Sequence, residues 1–258
     1  MPFRLLSRRA RFLATAFAVS LMGVPLASFA DEVTVPAPGA YLAAIVSLSE
    51  YAFVPAAEYL DAALLTDPTN PGLLDRAIVA NIGLGDIEKA AGFADRLIAE
   101  GGKSQLANLA LVARDAKKGD FEAIMAIKAD AGSVAMLDDL VKAWAQVGMG
   151  RMSDATAAFD KIATTQGLEA FGLYHKALAL AAAGDFEGAD KILSADGKGG
   201  IALSRRGVIA QIQILSQLER NDEAIALIDR TFAPGSDVEV DDLRRRLAAG
   251  EPIPYDVA

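Results

Sequence analysis

A few short stretches of this sequence contain residue types that could take part in acid–base or metal chemistry. His175 is the only histidine and the chain has no cysteine, so a metal at His175 would find no second ligand of either type. Asp138-Asp139 and Asp241-Asp242 are paired carboxylates. Adjacent residues of a helix point to different faces, so the two carboxylates of a pair are not placed to act together as a general acid and base. Both pairs are better explained as solvent-exposed residues at the start of a helix. We interpret His175 as a surface or packing residue.

The segment Asp196-Gly-Lys-Gly-Gly200 combines glycines with a lysine, as phosphate-binding loops do. It lacks the spacing of such a loop and the Ser or Thr that follows its lysine, and no strand is predicted before it. We interpret it as a loop between structural units. The sequence therefore predicts no catalytic residue, no metal site and no cofactor, and it indicates a protein that is not an enzyme.

The first thirty residues form a separate segment. Four arginines without an acidic residue precede the apolar run FLATAFAVSLMGVPLASFA, which ends in the small-x-small site Ser28-Phe29-Ala30. This order is typical of a secretory signal peptide, here cleaved between Ala30 and Asp31. An uncleaved membrane anchor is the alternative, because the run is of marginal length for a span. Gly23 and Pro25 favour cleavage, while the export route, Sec or twin-arginine, is left open.

Cleavage would leave a strongly acidic chain. The full chain has 25 Lys+Arg and 34 Asp+Glu, and the leader contains four of the basic residues and none of the acidic ones, which leaves 21 against 34, or −13. Such a charge disfavours binding to nucleic acid or anionic lipid. Charges interrupt every later apolar run, so no later segment predicts a membrane span. Export and acidity together indicate a bacterial periplasmic protein.

The strongest pattern in the chain is a repeat of about 34 residues. Gly85 begins GDIEKAA, Gly119 begins GDFEAIM and Gly184 begins GDFEGAD. A period of that length predicts one structural unit copied along the chain. When the period is extended, six equivalent turn positions appear, at Tyr51, Gly85, Gly119, Gly150, Gly184 and Glu219.

Each unit is predicted to be a helix, a tight turn and a second helix. Glycine at the turn can adopt the left-handed conformation that ends a helix, and the aspartate after it can cap the next one. A small residue five positions after the turn lets the two helices approach closely. First helices are expected near 39–50, 72–84, 103–118, 134–148, 167–183 and 201–218, and second helices near 53–66, 86–99, 120–129, 152–164, 185–194 and 221–232. Unit three is three residues short and has Lys128 where a large apolar residue belongs, so its second helix is expected to be truncated or shifted.

This pattern resembles the tetratricopeptide repeat (TPR). The period, the small residue at the twentieth position and the large apolar residue at the twenty-fourth carry the resemblance, and AAEYLDAALLTDPTNP, with Ala56, Leu60, Ala63 and Pro68, matches it well. No unit has tryptophan at the fourth position. The resemblance implies an all-α, right-handed α-solenoid of about six helix-turn-helix repeats over residues 39–232, and it is nearly silent on activity.

The ends of the chain flank this array. Residues 1–30 are the predicted signal peptide and residues 31–38 an N-terminal linker. Residues 233–258 are expected to form a short polar helix, DDLRRRLAAG, that caps the array, and an extended tail, EPIPYDVA. The tail looks like a linker, so the chain resembles the N-terminal part of a longer bacterial TPR protein. The alternative is that these residues are a terminal tail.

The resemblance also implies a binding groove. First helices of TPR arrays line a concave face, with positions two, five, nine and twelve of each unit pointing into it. In units four and five these positions include Leu137, Leu140, Trp144, Phe171, Tyr174 and Leu178. An exposed apolar and aromatic patch predicts a contact site. The alternative is that these side chains pack within the array.

We therefore predict a non-enzymatic periplasmic interaction module that binds a protein or peptide segment on the concave face. Neither nucleic acid nor, after signal cleavage, a membrane is an expected partner. One alternative is a helical scaffold that positions a cell-wall enzyme module, which a catalytic module beyond residue 258 would favour. Another is a binding module for a small apolar ligand, which a closed pocket around Trp144 would favour.

Overall fold

The computed structural model describes residues 37–128, 135–194 and 203–256, and within these ranges the regular structure is entirely helical. The predicted cleavage site at Ala30 and Asp31 and the glycine-rich loop 196–200 lie outside the described residues. The helices in chain order are α1 Ala37–Ser49, α2 Phe53–Thr66, α3 Pro71–Gly83, α4 Ile87–Ala99, α5 Gln105–Lys118, α6 Phe121–Ala126, α7 Ala135–Gly148, α8 Met152–Ala163, α9 Glu169–Ala182, α10 Phe186–Leu193, α11 Arg205–Gln217, α12 Asn221–Thr231 and α13 Val238–Ala248.

Contacts between helices follow the order of the chain. Each helix packs against the helices before and after it, and α3 also contacts α5, the first helix of the next unit. Packing restricted to neighbours is the defining property of a solenoid. The chain is therefore an all-α solenoid of TPR-like hairpins, as the repeat predicted. None of the described helices is long and apolar enough to cross a membrane.

The turns confirm the predicted role of the repeated Gly-Asp pair. All six predicted turn residues have positive φ, which is 70 to 88° at the four glycines, 56° at Tyr51 and 60° at Glu219. The aspartates that follow three of the glycines cap the next helix, since Asp86, Asp120 and Asp185 accept hydrogen bonds from backbone N–H groups at 3.0, 3.0 and 2.8 Å. The left-handed residue ends one helix and the cap begins the next, so the chain reverses within two residues.

The predicted small residues lie where the paired helices come closest. Ala56, Ala90, Ala155, Ala189 and Ala224 are fully buried. In unit three the equivalent residue is Ile124, the only fully buried side chain of the six-residue α6, and Lys128 is exposed beyond the end of that helix. The expected truncation of this second helix is thus confirmed. Its physical reason is that a lysine is not buried without a partner, so the helix ends before Lys128.

At two junctions, between units one and two and between units three and four, an aromatic residue just after the turn packs over a glycine near the end of the following first helix. A Cβ atom placed on Gly83 would lie 2.5 Å from ring atoms of Phe53, and one on Gly148 would lie 2.5 Å from ring atoms of Phe121. Each of these glycines stands two residues before the turn of its unit. In unit six the same position is occupied by Gln217, whose side-chain amide bonds to the C-terminal tail.

The C-terminal end of the solenoid is closed by α13. This helix packs against α12 and buries Val240, Leu243 and Leu247, while Arg244 and Arg245 remain exposed. Asp237 caps it by accepting hydrogen bonds from the N–H groups of Glu239 and Val240. A short helix with exposed arginines thus follows the array, in the region where the sequence predicted a polar capping helix.

Candidate functional site

The first helices of units five and six, α9 and α11, present predicted groove positions around one cavity. We call the surface formed by units five and six the α9–α11 face; it consists of Phe171, Tyr174, Leu178 and Ala181 of α9 and Arg206, Ile209, Gln213 and Ser216 of α11. Most of these residues line a shared cavity of about 390 Å³ between the two helices. The structure thus brings groove positions of both units to one surface, as the repeat register requires.

The predicted groove residues of unit four have a different role. Leu140 and Trp144 pack against the core that joins α7 to α8, and the Trp144 ring meets the Phe159 ring edge-on with centroids 5.8 Å apart. Leu137 lines a small apolar cavity between α5, α6 and α7. These side chains therefore contribute to packing within the array, which was the alternative explanation for the pattern.

The indole of Trp144 also links unit four to unit five. Its Nε1–H donates a hydrogen bond of 3.1 Å to Nδ1 of His175 on α9. Because Nδ1 accepts, it carries no proton, and the proton of the neutral imidazole is on Nε2. Burial lowers the pKa of His175 and favours this neutral form. Of the two readings of His175, a surface or a packing residue, the contact with Trp144 supports packing.

Phe171 and Tyr174 surround the same imidazole but differ from Trp144 in exposure. Their ring centroids each lie 5.3 Å from that of His175. Phe171 is 46% exposed, whereas Tyr174 is half-buried and Leu178 is buried. Of the six predicted groove residues, Phe171 is the aromatic one most available to a partner.

The most informative feature of the α9–α11 face is a segment whose contacts the sequence did not predict. Residues 253–256 of the tail lie on it, without helical structure, and Ile253 is only 2% exposed, packed among residues of α11, α12 and α13. The backbone N–H of Ile253 donates to Ser216 Oγ at 2.9 Å, and its carbonyl oxygen accepts from Gln217 Nε2 at 2.7 Å. The N–H of Asp256 donates to Gln213 Oε1 at 3.1 Å.

Tyr255 attaches the same segment to α9. Its hydroxyl donates to the carbonyl oxygen of Leu178 at 3.2 Å, and its ring meets the Phe186 ring edge-on at 6.0 Å. Burial, assisted by the nearby Tyr174, raises the pKa of Tyr255 to about 12. The side chains of Ile253 and Tyr255 are thus turned to the protein while Pro254 between them is exposed. This alternation is typical of an extended peptide held against a surface.

Gln217 takes part in the attachment of the tail. In units two and four a glycine at this position accommodates the aromatic ring of the preceding unit, Phe53 or Phe121. In unit six the position is a glutamine whose amide reaches the tail, and Phe186 contacts Tyr255. In the sequence, unit six is more polar than units four and five at the groove positions, with Arg206, Gln213 and Ser216, and Ile253 and Tyr255 stand two positions apart.

Asp256 and Tyr174 both line the cavity of this face. Ile209 and Ala210 contribute apolar surface, and Arg205 and Arg206 lie at its edge. Arg205 is held by Asp237 and Glu239, each at 2.6 Å, and this guanidinium lowers the pKa of Asp237 to about 2. Among the described residues, no group of three or more His, Cys, Asp or Glu side chains could hold a metal. The face therefore combines apolar side chains and the Gln213 amide with charged groups, Arg205, Arg206 and Glu239, in one cavity.

Comparisons with known proteins add a limited result. A scan against protein-family models and a search of curated proteins found no match. Similar solved structures include the TPR domain of P58(IPK), 12% identical over 83% of this chain and 65% of that chain with a TM-score of 0.36. Another is Naa15/Naa10 bound to HypK-THB, 17% identical over 83% of this chain and 38% of that chain with a TM-score of 0.35. The chain spans less than two thirds of either, and its TPR-like character rests on its own hairpins and turns.

Proposed function

We propose that this chain is a non-enzymatic interaction module that is exported to the periplasm and binds an extended segment of a protein partner on the α9–α11 face. The observation that carries the proposal is the tail itself. Its residues 253–256 lie across this face with backbone groups bonded to Gln213, Ser216 and Gln217. A surface that satisfies the backbone of one extended segment has the chemistry to bind another.

Charge and exposure support the same proposal. The acidic chain disfavours binding to nucleic acid and anionic membranes, and the face offers apolar side chains and a hydrogen-bonding amide for the recognition of a protein segment. Phe171, exposed at the far end of the face from the tail, provides an aromatic contact for a partner. We include export in the proposal because the first thirty residues read as a signal peptide.

No specific contact favours either alternative function, the binding of a small apolar ligand or the positioning of an enzyme module. A closed ligand pocket around Trp144 is opposed by Phe159 and His175, which themselves contact the indole ring. A role in positioning an enzyme module is compatible with the same face, since that module would be one kind of protein partner.

Site-specific photo-crosslinking in the native host tests the proposal. A photoreactive phenylalanine analogue, p-benzoylphenylalanine, replaces Phe171 on the α9–α11 face, or, as matched control, the exposed Ala226 on α12. We expect a discrete protein adduct from position 171 and none from position 226. Equal labelling at the two positions, or no adduct at position 171 in cells that express the folded protein, contradicts the proposal.

Export is tested separately by intact-mass measurement of the protein purified from the same host. We expect a soluble protein in the periplasmic fraction whose sequence begins at Asp31. A protein that retains residues 1–30 in the membrane fraction contradicts this part of the proposal.

A further inference from the structure

We infer that residues 253–256 are a resident competitor for the partner, and that the partner segment resembles them: an extended, proline-containing stretch with an aliphatic residue and a tyrosine two positions apart. This inference rests on the proposed function, because it identifies the ligand chemistry and the regulation of the same face. It commits to a partner segment in trans as the occupant that replaces the tail.

The backbone contacts define how any occupant is held. Ile253 has both its N–H and its carbonyl oxygen bonded, to Ser216 and Gln217, and the N–H of Asp256 is bonded to Gln213. These contacts are independent of side-chain identity and require only that the segment be extended. Proline is compatible at the positions of Pro252 and Pro254, because the backbone donors used by the face belong to Ile253 and Asp256.

Two side-chain positions give the face its selectivity. Ile253 occupies a fully apolar site among Ile212, Leu215 and Val240, where a polar side chain would lose its hydration without a partner. Tyr255 places its ring against Phe186 and its hydroxyl on the Leu178 carbonyl. A phenylalanine would keep the ring contact but leave that hydrogen bond unmade. An aliphatic-x-tyrosine pattern therefore fits the face best.

The way the tail is attached makes it a competitor. It follows α13 directly, after Gly250, so its local concentration at the face is high whatever the concentration of the protein. Its flanking residues Glu251, Pro252 and Pro254 are exposed, so its described hold on the array consists of a few contacts. A partner segment long enough to reach the exposed Phe171 gains an aromatic contact in addition to the contacts of residues 253–256, and this allows it to displace the tail.

The test uses a fluorescein-labelled peptide with the sequence EPIPYDVA and fluorescence anisotropy. In the full chain, Ile253→Ser together with Tyr255→Ser releases the tail from the face. We expect this variant to bind the peptide at least tenfold more tightly than the unaltered protein. The control protein carries Leu65→Ser and Val238→Ser, two equally apolar but exposed positions, and should behave as the unaltered protein does. A peptide with serine at both anchor positions should not bind.

A second measurement does not depend on the folding of a variant. Excess unlabelled EPIPYDVA is added to the unaltered ¹⁵N-labelled protein, and we expect it to shift the backbone amide resonances of Ile253 and Asp256, whereas the serine-substituted peptide should not. The inference is overturned if the released variant keeps its circular dichroism and cooperative melting but binds the peptide no better, or if the amide resonances do not respond. A crosslinked partner at position 171 would then still support the proposed function, while tight peptide binding without any crosslinked partner would count against that function alone.

Discussion

At the scale of single residues, His175 is the side chain whose ionisation the array controls most directly. Its Nδ1 accepts from Trp144 and its pKa is lowered by burial. The folded state thus disfavours the imidazolium, so the His175 contribution to stability is complete above the unfolded pKa of about 6.5 and is lost as the pH falls toward the lower folded pKa. We expect the free energy of unfolding to decrease between pH 7.5 and 5.5.

The control for this prediction is His175→Gln, whose side-chain oxygen can still accept from the indole. His175 is the only histidine, so few other groups titrate in this interval. Urea unfolding at several pH values should show a smaller decrease for the variant, by roughly 1.4 kcal/mol for each unit of pKa depression. An identical pH dependence in both proteins would rule out His175 as its source.

Trp144 and Phe171 differ in role although both occupy predicted groove positions. Trp144 packs against Phe159, so Trp144→Ala should lower the free energy of unfolding by roughly 3 kcal/mol, at the low end for a large core aromatic because the side chain is only partly buried. Phe171 is 46% exposed, so Phe171→Ala should cost less than about 1 kcal/mol. Chemical denaturation of the two variants measures this. Similar costs for both would mean that Phe171 is also a core residue.

At the scale of helices, glycines inside two helices should respond to substitution in opposite directions. A Cβ on Gly172 of α9 would lie 2.5 Å from the backbone nitrogen of Ala163 at the end of α8, whereas a Cβ on Gly92 of α4 would meet nothing within 4 Å. Gly172→Ala should therefore overpack the α8–α9 contact and lower the free energy of unfolding by roughly 1–3 kcal/mol. Gly92→Ala should raise it by roughly 0.5–1 kcal/mol, since alanine favours the helix.

The denaturant midpoints of the two variants, compared with that of the unaltered chain, measure these two changes in stability. The pair is matched, because both changes add one methyl group to a glycine within a helix. Stabilisation by Gly172→Ala would show that α8 and α9 are less closely packed than the structure has them.

The helices and turns could be predicted from the sequence because their causes are local. Gly85 forms the turn and Asp86 caps the next helix, so two adjacent residues specify this part of the structure. Lys128 is charged at a position that requires a buried apolar residue, which predicts that the helix ends before it. The role of Trp144 could not be predicted in the same way, because groove and core positions on α7 are neighbours and Phe159, which contacts the ring, lies on another helix. The placement of the tail depends on contacts with residues 36 to 77 positions earlier in the chain, and no local signal specifies them.

At the scale of the whole molecule, each unit packs against its neighbours, so the free energy of unfolding is approximately a sum of contributions from the units and from the interfaces between them. Unit three contributes the least. One continuous core extends from Ala40 on α1 to Leu111 on α5, and separate cores follow from α7 onward. Between them lies α6, which buries one side chain, Ile124, whereas α4 buries five. A helix with so little buried surface transmits little cooperativity. The two sides of α6 should therefore unfold as separate units.

Two cavity-forming substitutions, one on each side of α6, test this independence. Leu74 on α3 and Ile214 on α11 are both fully buried, and truncation of either to alanine should cost roughly 2–5 kcal/mol within its own unit. Hydrogen exchange read by mass spectrometry should then show faster exchange in α1–α5 for Leu74→Ala, with α8–α12 unchanged, and the reverse for Ile214→Ala. Faster exchange along the whole chain in both variants would contradict the separation, because it would mean that α6 couples the two sides into one cooperative unit despite its single buried side chain.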